Sequence, residues 1–152
     1  MSVFTSAGCT VAIGPTTAAA NAAAYAALSY DALGEVEEIG EFGDQVGTTT
    51  FTSIADRRVR KFKTTFDAGE ISLTLGRDAT DTGQAAAIAA LAADDDYAFQ
   101  VELNDSGGTS PTTLYFHAKV TGYTTNIGSA EGVVKASLML AINTAIFEAA
   151  AA

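Results

Sequence analysis

The sequence predicts a mainly β domain: two antiparallel sheets packed as a sandwich or partly closed barrel, with one flanking α-helix. Three observations predict it. Apolar and polar residues alternate with period 2 at Glu70–Leu75, Tyr97–Leu103, Leu114–Thr121 and Val134–Ile142, the mark of half-buried strands. Glycine-bearing turn segments separate the last three, as in an antiparallel meander. One alanine-rich stretch follows a set of N-cap candidates and reads as the helix. A chain of 152 residues fits one domain spanning 1–152. At that size it needs neither metal nor disulfide to fold.

Taken in order, Met1–Gly8 reads as a flexible terminus of small residues. Cys9–Ile13 alternates as a first strand, stopped by Gly14-Pro15. Thr17 is placed to cap a short helical turn over Ala18–Ala27, which carries Tyr25. Leu28–Glu41 is extended, but Val36 and Ile39 break strict alternation, so a bulge or break near Gly34 is expected. Gly40, Gly43 and Gly47 mark a loop, and Thr48–Ile54 suits a strand or an extended loop arm. A long inter-subunit arm is expected at about 42–66; within it Thr48–Lys63 has little core of its own and is expected to be poorly ordered in the isolated chain and ordered on assembly.

After the Glu70–Leu75 strand, a helix is predicted from Thr80 or Asp81 to Ala93, with Ile88, Leu91 and Ala92 as its apolar stripe. Asp94–Asp96 should end it, because carboxylates are unfavourable at a helix C-terminus. In the meander, Asn104–Thr113 is a hairpin loop, Gly122 marks a bulge, Tyr123–Ile127 continues the strand and Gly128–Gly132 turns it. The tail Glu148–Ala152 has no clear partner.

Composition narrows the function. The net charge is −10, which disfavours ordinary nucleic-acid binding by phosphate neutralisation and suits a surface that DNA passes without sticking; acidity also aids solubility. One Cys allows no intramolecular disulfide, and one His cannot build a His-rich metal site. Asp94–Asp96 fit no calcium-loop spacing. No run of about 18 apolar residues appears, and the N-terminus lacks the charged start of a signal peptide, so a soluble, cytoplasmic product without membrane insertion is expected. His117 is expected on the polar face of its strand beside Lys119, with no nucleophile or orienting acid assembled around it, and Cys9 reads as a small buried hydrophobe. Gly40-x-x-Gly43 and Gly107-Gly108 lack phosphate-loop context. No catalytic, metal or cofactor site is expected.

Charge is distributed unevenly. No Lys or Arg precedes Arg57, and Arg57, Arg58, Arg60, Lys61 and Lys63 make five of the chain's eight cations. Upstream lie Asp31, Glu35, Glu37, Glu38, Glu41 and Asp44. The basic run can bind nucleic acid, be a solvated strand face, or dock on the acidic segment of another copy.

The ordered set Gly34–Gly43, the basic run, Asp67-Ala68-Gly69-Glu70, and Asp78, Asp81, Gly83 and Gln84 resembles the major tail tube proteins of long, flexible, non-contractile bacteriophage tails. The likeness covers Cys9 to Ile146. It implies a structural virion protein whose copies form stacked hexameric rings, a tube that conducts double-stranded DNA without binding it specifically. It further implies tape-measure, tail-terminator and distal tail proteins as partners, and a virion-tail location after assembly in the host cytoplasm. It favours docking between copies for the basic run. Glu35, Glu37, Glu38, Glu41 and Asp44 would then face Arg57, Arg58, Arg60, Lys61 and Lys63 across subunits; the lumen-facing residues stay undetermined. A tail terminator or a type VI secretion-like tube protein shares the pattern. An acidic β-sandwich adhesion or carbohydrate-binding module is the rival from another class, though the chain has no Trp to stack on sugars.

Overall fold

The computed structural model describes residues 3–105 and 110–150. Its spine is the expected meander: β7 (Tyr97–Glu102), β8 (Thr113–Asn126) and β9 (Lys135–Ile142) run antiparallel in sequence order. Alternation does what it predicts. Phe99, Val101, Phe116, Ala118, Leu138, Leu140 and Ile142 point into one core. The β7–β8 loop falls partly outside the described residues. The expected bulge occurs where pairing shifts between Val120 and Gly122, leaving Thr121 as the extra residue.

The sheet extends on both sides of this spine. On one side lie β1 (Thr10–Ile13) and then β2 (Asp31–Ala32); on the other lie β6 (Glu70–Gly76) and then β3 (Val36–Ile39). The two outermost strands, β2 and β3, are consecutive in sequence and joined only by Leu33, Gly34 and Glu35. Such a link reaches at most about 14 Å. The sheet must therefore curl until its edges meet, which is how this chain makes a partly closed barrel. The break expected near Gly34 is this link, and Glu35 in it has a positive φ of 58°. The second antiparallel sheet is a separate hairpin of β4 (Gln45–Thr52) and β5 (Val59–Asp67).

The helix α2 (Thr82–Ala92) closes the barrel. Asp81 caps it, one carboxylate oxygen accepting from the Gln84 amide at 2.9 Å and, across the link, from the Gly34 amide at 3.0 Å. Gln84 is buried and uses its whole amide group. Its Nε2 donates to two carbonyls, Gly34 O at 3.1 Å and Gly76 O at 2.9 Å, while Oε1 accepts from Asp78 N–H and Tyr123 Oη, each at 3.0 Å. Gly83 lies so close to the link that a Cβ there would sit 2.1 Å from the Ala32 carbonyl oxygen. The Asp-x-Gly-Gln spacing is thus a clasp between the helix and the two sheet edges.

Five expectations are corrected. The buried face of α2 is Gly83, Gln84, Ala87 and Ala90, whereas Ile88 and Leu91 face solvent at 42% and 38% exposure. Small side chains let the helix approach the sheet closely, and that approach outweighs burying two larger ones. His117 is only 6% exposed, because a second layer covers the opposite sheet face there. That layer is α1 (Ala22–Ala26), capped by Asn21 rather than Thr17, joined by the Phe147 side chain of β10 (Phe147–Ala149), itself a strand of the same sheet. Tyr25 Oη lies 2.6 Å from His117 Nδ1, and the Tyr25 ring packs on Tyr115 and Phe147. The tail does have a partner, since β10 pairs with β8 from Tyr115 back to Thr113. Cys9 is half-buried instead of buried. No helix among the described residues is long and apolar enough to cross a membrane.

Candidate assembly interface

The β4–β5 hairpin is the site candidate because it stands apart from the core. Every residue of β5 is exposed, and within β4 only Val46 is half-buried. Eight residues of β4 extend about 27 Å. β-Branched and aromatic residues make the ladder: Thr48 pairs Lys63, Thr50 pairs Lys61, and Thr52 pairs Val59. Between Val46 and Thr48 the register shifts, with Thr64 and Thr65 opposing Gly47. The hairpin's outer edges carry no ladder partner among the described residues.

This register divides the basic run between two faces. Residues directly paired share a face, and neighbours along a strand alternate. Val59, Lys61 and Lys63 therefore stand with Thr48, Thr50 and Thr52, while Arg60 and Phe62 stand with Thr49 and Phe51 on the other side. Arg57 and Arg58 occupy the tip, where Arg57 has a positive φ of 51° and its amide donates to the Ser53 carbonyl at 2.9 Å. Arg60 Nη2 pairs with Asp56 Oδ2 at 2.5 Å. That guanidinium holds the Asp56 carboxyl below the usual carboxylate range. Arg57, Arg58, Lys61 and Lys63 make no ion pair among the described residues.

The acidic segment lies on the barrel body. Glu37 pairs with Lys135 of β9, two strands in from the edge, Oε2 to Nζ at 2.8 Å. Glu35, Glu38, Glu41 and Asp44 make no ion pair among the described residues. Glu41 and Asp44 line an open cleft of about 430 Å³ at the arm's root, with Phe42, Asp67 and Glu70. Within one chain, the structure does not join the acidic segment to the basic run. The arm carries apolar groups too: Phe51, Ile54, Phe62 and Phe66 are all exposed, Ile54 at 96%. The sequence reading missed this combination of cations and aromatics on an arm; the signal was Phe51, Phe62 and Phe66 in a segment with no core to enter.

No group of three or more His, Cys, Asp or Glu suited to a metal is found among the described residues. His117 Nε2 is buried without a hydrogen-bond partner there, and its ring serves as the floor on which Tyr25 rests.

A curled antiparallel barrel, clasped by one helix and extended by a charged hairpin, is a fold shared with tube components of tails and injection systems. The PVC sheath/tube terminator of an extracellular contractile injection system, in its extended state, is 14% identical and superposes with a TM-score of 0.72 over 97% of each chain. The SPP1 tail tube is 13% identical, with a TM-score of 0.66 over 93% of this chain and 76% of that one. A chain of the native gene transfer agent virion is 17% identical, with a TM-score of 0.62 over 80% and 89%. No protein-family model and no curated protein matches the sequence. The expected likeness to tail tube proteins is found at the level of the fold.

Proposed function

We propose that this chain is a structural tail protein whose copies close into hexameric rings and stack as a tube, through which DNA passes. The observation that carries the reading is the match of nearly the whole chain to the SPP1 tail tube. Two physical features agree with it. Among the described residues the curled sheet ends in unpaired edges at β2 and β3, and the arm exposes two more; pairing between copies removes such edges. The net charge of −10 repels phosphate, so DNA entering a lumen made of these chains would slide rather than bind. The arm at 42–66 would bridge subunits, its cations Arg57, Arg58, Arg60, Lys61 and Lys63 meeting carboxylates such as Glu35, Glu38, Glu41 and Asp44 of a neighbour. Tape-measure, terminator and distal tail proteins would cap or fill the tube. The role is assembly and passive conduction, without turnover.

Negative-stain imaging and light scattering of the purified chain test this. Rings or tubes far above the 15.5 kDa monomer are expected. A strictly monomeric chain at all concentrations, with tail-initiating partners present, would overturn it. A second reading, a tail terminator, is favoured by the match to the sheath/tube terminator. Single rings that bind tube ends and never elongate would select it.

A further inference from the structure

We infer that the outer face of α2 is the seat for the tip of a second copy's arm. This rests on the self-assembly reading and specifies the contact within it. The helix presents an unusual stripe. Ile88 and Leu91 are its only large apolar side chains, and both face solvent. Asp94 and Asp95, both exposed, follow just past the helix end, where Ala93 turns the chain into extended backbone. Asp96 is already engaged by Lys119 Nζ at 2.9 Å, and Lys119 also donates to the Asp94 carbonyl at 2.8 Å. Those bonds leave the Asp94 and Asp95 carboxylates without an ion-pair partner among the described residues.

The arm tip is the complement of this stripe. Phe51 and Phe62 share one arm face, and Ile54 crowns the tip beside Arg57 and Arg58. Apolar and cationic groups on the arm therefore match in kind the apolar groups on the helix and the acidic groups just past its end. The acidic segment of β3 offers charge but no such apolar seat, because Val36, Ile39 and Phe42 are packed against the core. The overall charge also selects a second copy as the occupant. Five cations against two carboxylates give residues 45–67 a charge of +3, so the remainder of this −10 chain carries −13. Bodies of like sign repel, and the arm is the one positive module that can bridge them.

The test is a cross-link between distinguishable copies. Ile54→Cys chains are mixed with Leu91→Cys chains, both carrying Cys9→Ser, allowed to assemble and oxidised with copper phenanthroline. A disulfide-linked dimer is expected for this pair, and none for Ile54→Cys mixed with Glu38→Cys. Assembled particles that link 54 to 38, or that link neither pair, would overturn the helix seat while leaving the tube reading intact. Absence of any assembly by the unmodified chain would remove both. As a second measurement, Leu91→Lys should leave the monomer's melting curve unchanged, since the side chain is outward, and slow assembly at least about tenfold. Assembly at the normal rate by that variant would also refute the seat.

Discussion

Replacing Gln84 by alanine probes the clasp directly. The substitution removes four hydrogen bonds, leaving the carbonyls of Gly34 and Gly76, the Asp78 amide and the Tyr123 hydroxyl without that partner. At about 0.5–1.5 kcal/mol net for each, the loss is about 2–6 kcal/mol. All four partner residues are half-buried, so water can reach some of the stranded groups, and the lower half of that range is expected. For a domain of this size, about 2–4 kcal/mol lowers Tm by about 4–16 °C. Urea unfolding followed by circular dichroism would measure it, with the m-value unchanged. Gln84→Glu separates lost bonding from lost packing. An ionised carboxylate cannot donate to the two carbonyls, so this variant should be at least as unstable as the alanine at pH 7. Burial against carbonyl oxygens raises the introduced carboxyl's pKa, so its deficit should shrink as pH falls through that raised value and a donor returns. A loss under about 1 kcal/mol for Gln84→Ala, or a Gln84→Glu deficit independent of pH, would refute the clasp.

The other predictions concern assembly and charge. Arg58→Glu with Arg60→Glu should leave the monomer folded and impair tube growth, and Glu37→Lys with Glu38→Lys should partly restore it; light scattering of normal rate and final size in the arginine variant would reduce the basic run to a solvated face. Each exposed pair contributes only about 0–1 kcal/mol, so the effect must come from repetition around rings, and it should weaken with salt. Hydrogen exchange in the arm should be fast in the monomer, where its ladder is solvent-exposed, and slow in the assembled state; equal protection in both would count against an inter-subunit arm. The Lys119 ammonium holds the Asp96 carboxyl below its ordinary range, so this pair's contribution is fully present above about pH 4 and lost as pH falls through the lower folded-state pKa. Urea midpoints of Asp96→Asn and the unmodified chain should accordingly converge in acid, and a gap that persists at pH 2 would contradict this.

Local chemistry was legible in the sequence. Period-2 alternation put Phe99, Val101, Leu138 and Leu140 in the core because successive strand side chains point to opposite faces whatever the strand packs against. The bulge at Gly122 and the cap at Asp81 were readable for the same reason, since each depends on a few adjacent residues. Tertiary structure decided the rest. An alanine-rich helix has no strong apolar side, so only the closeness of the sheet and of the Ala32 carbonyl could choose Gly83, Gln84, Ala87 and Ala90 as its inner face. Alternation assigned His117 to the non-core face correctly, but α1 lies over that face and buries it, with the Phe147 ring of the tail packed against Tyr25. The acidic segment and the basic run could be found by counting charges. Their separation within one chain could not, because it follows from a sheet whose distant edges meet at a three-residue link while the hairpin beside it is left outside the core.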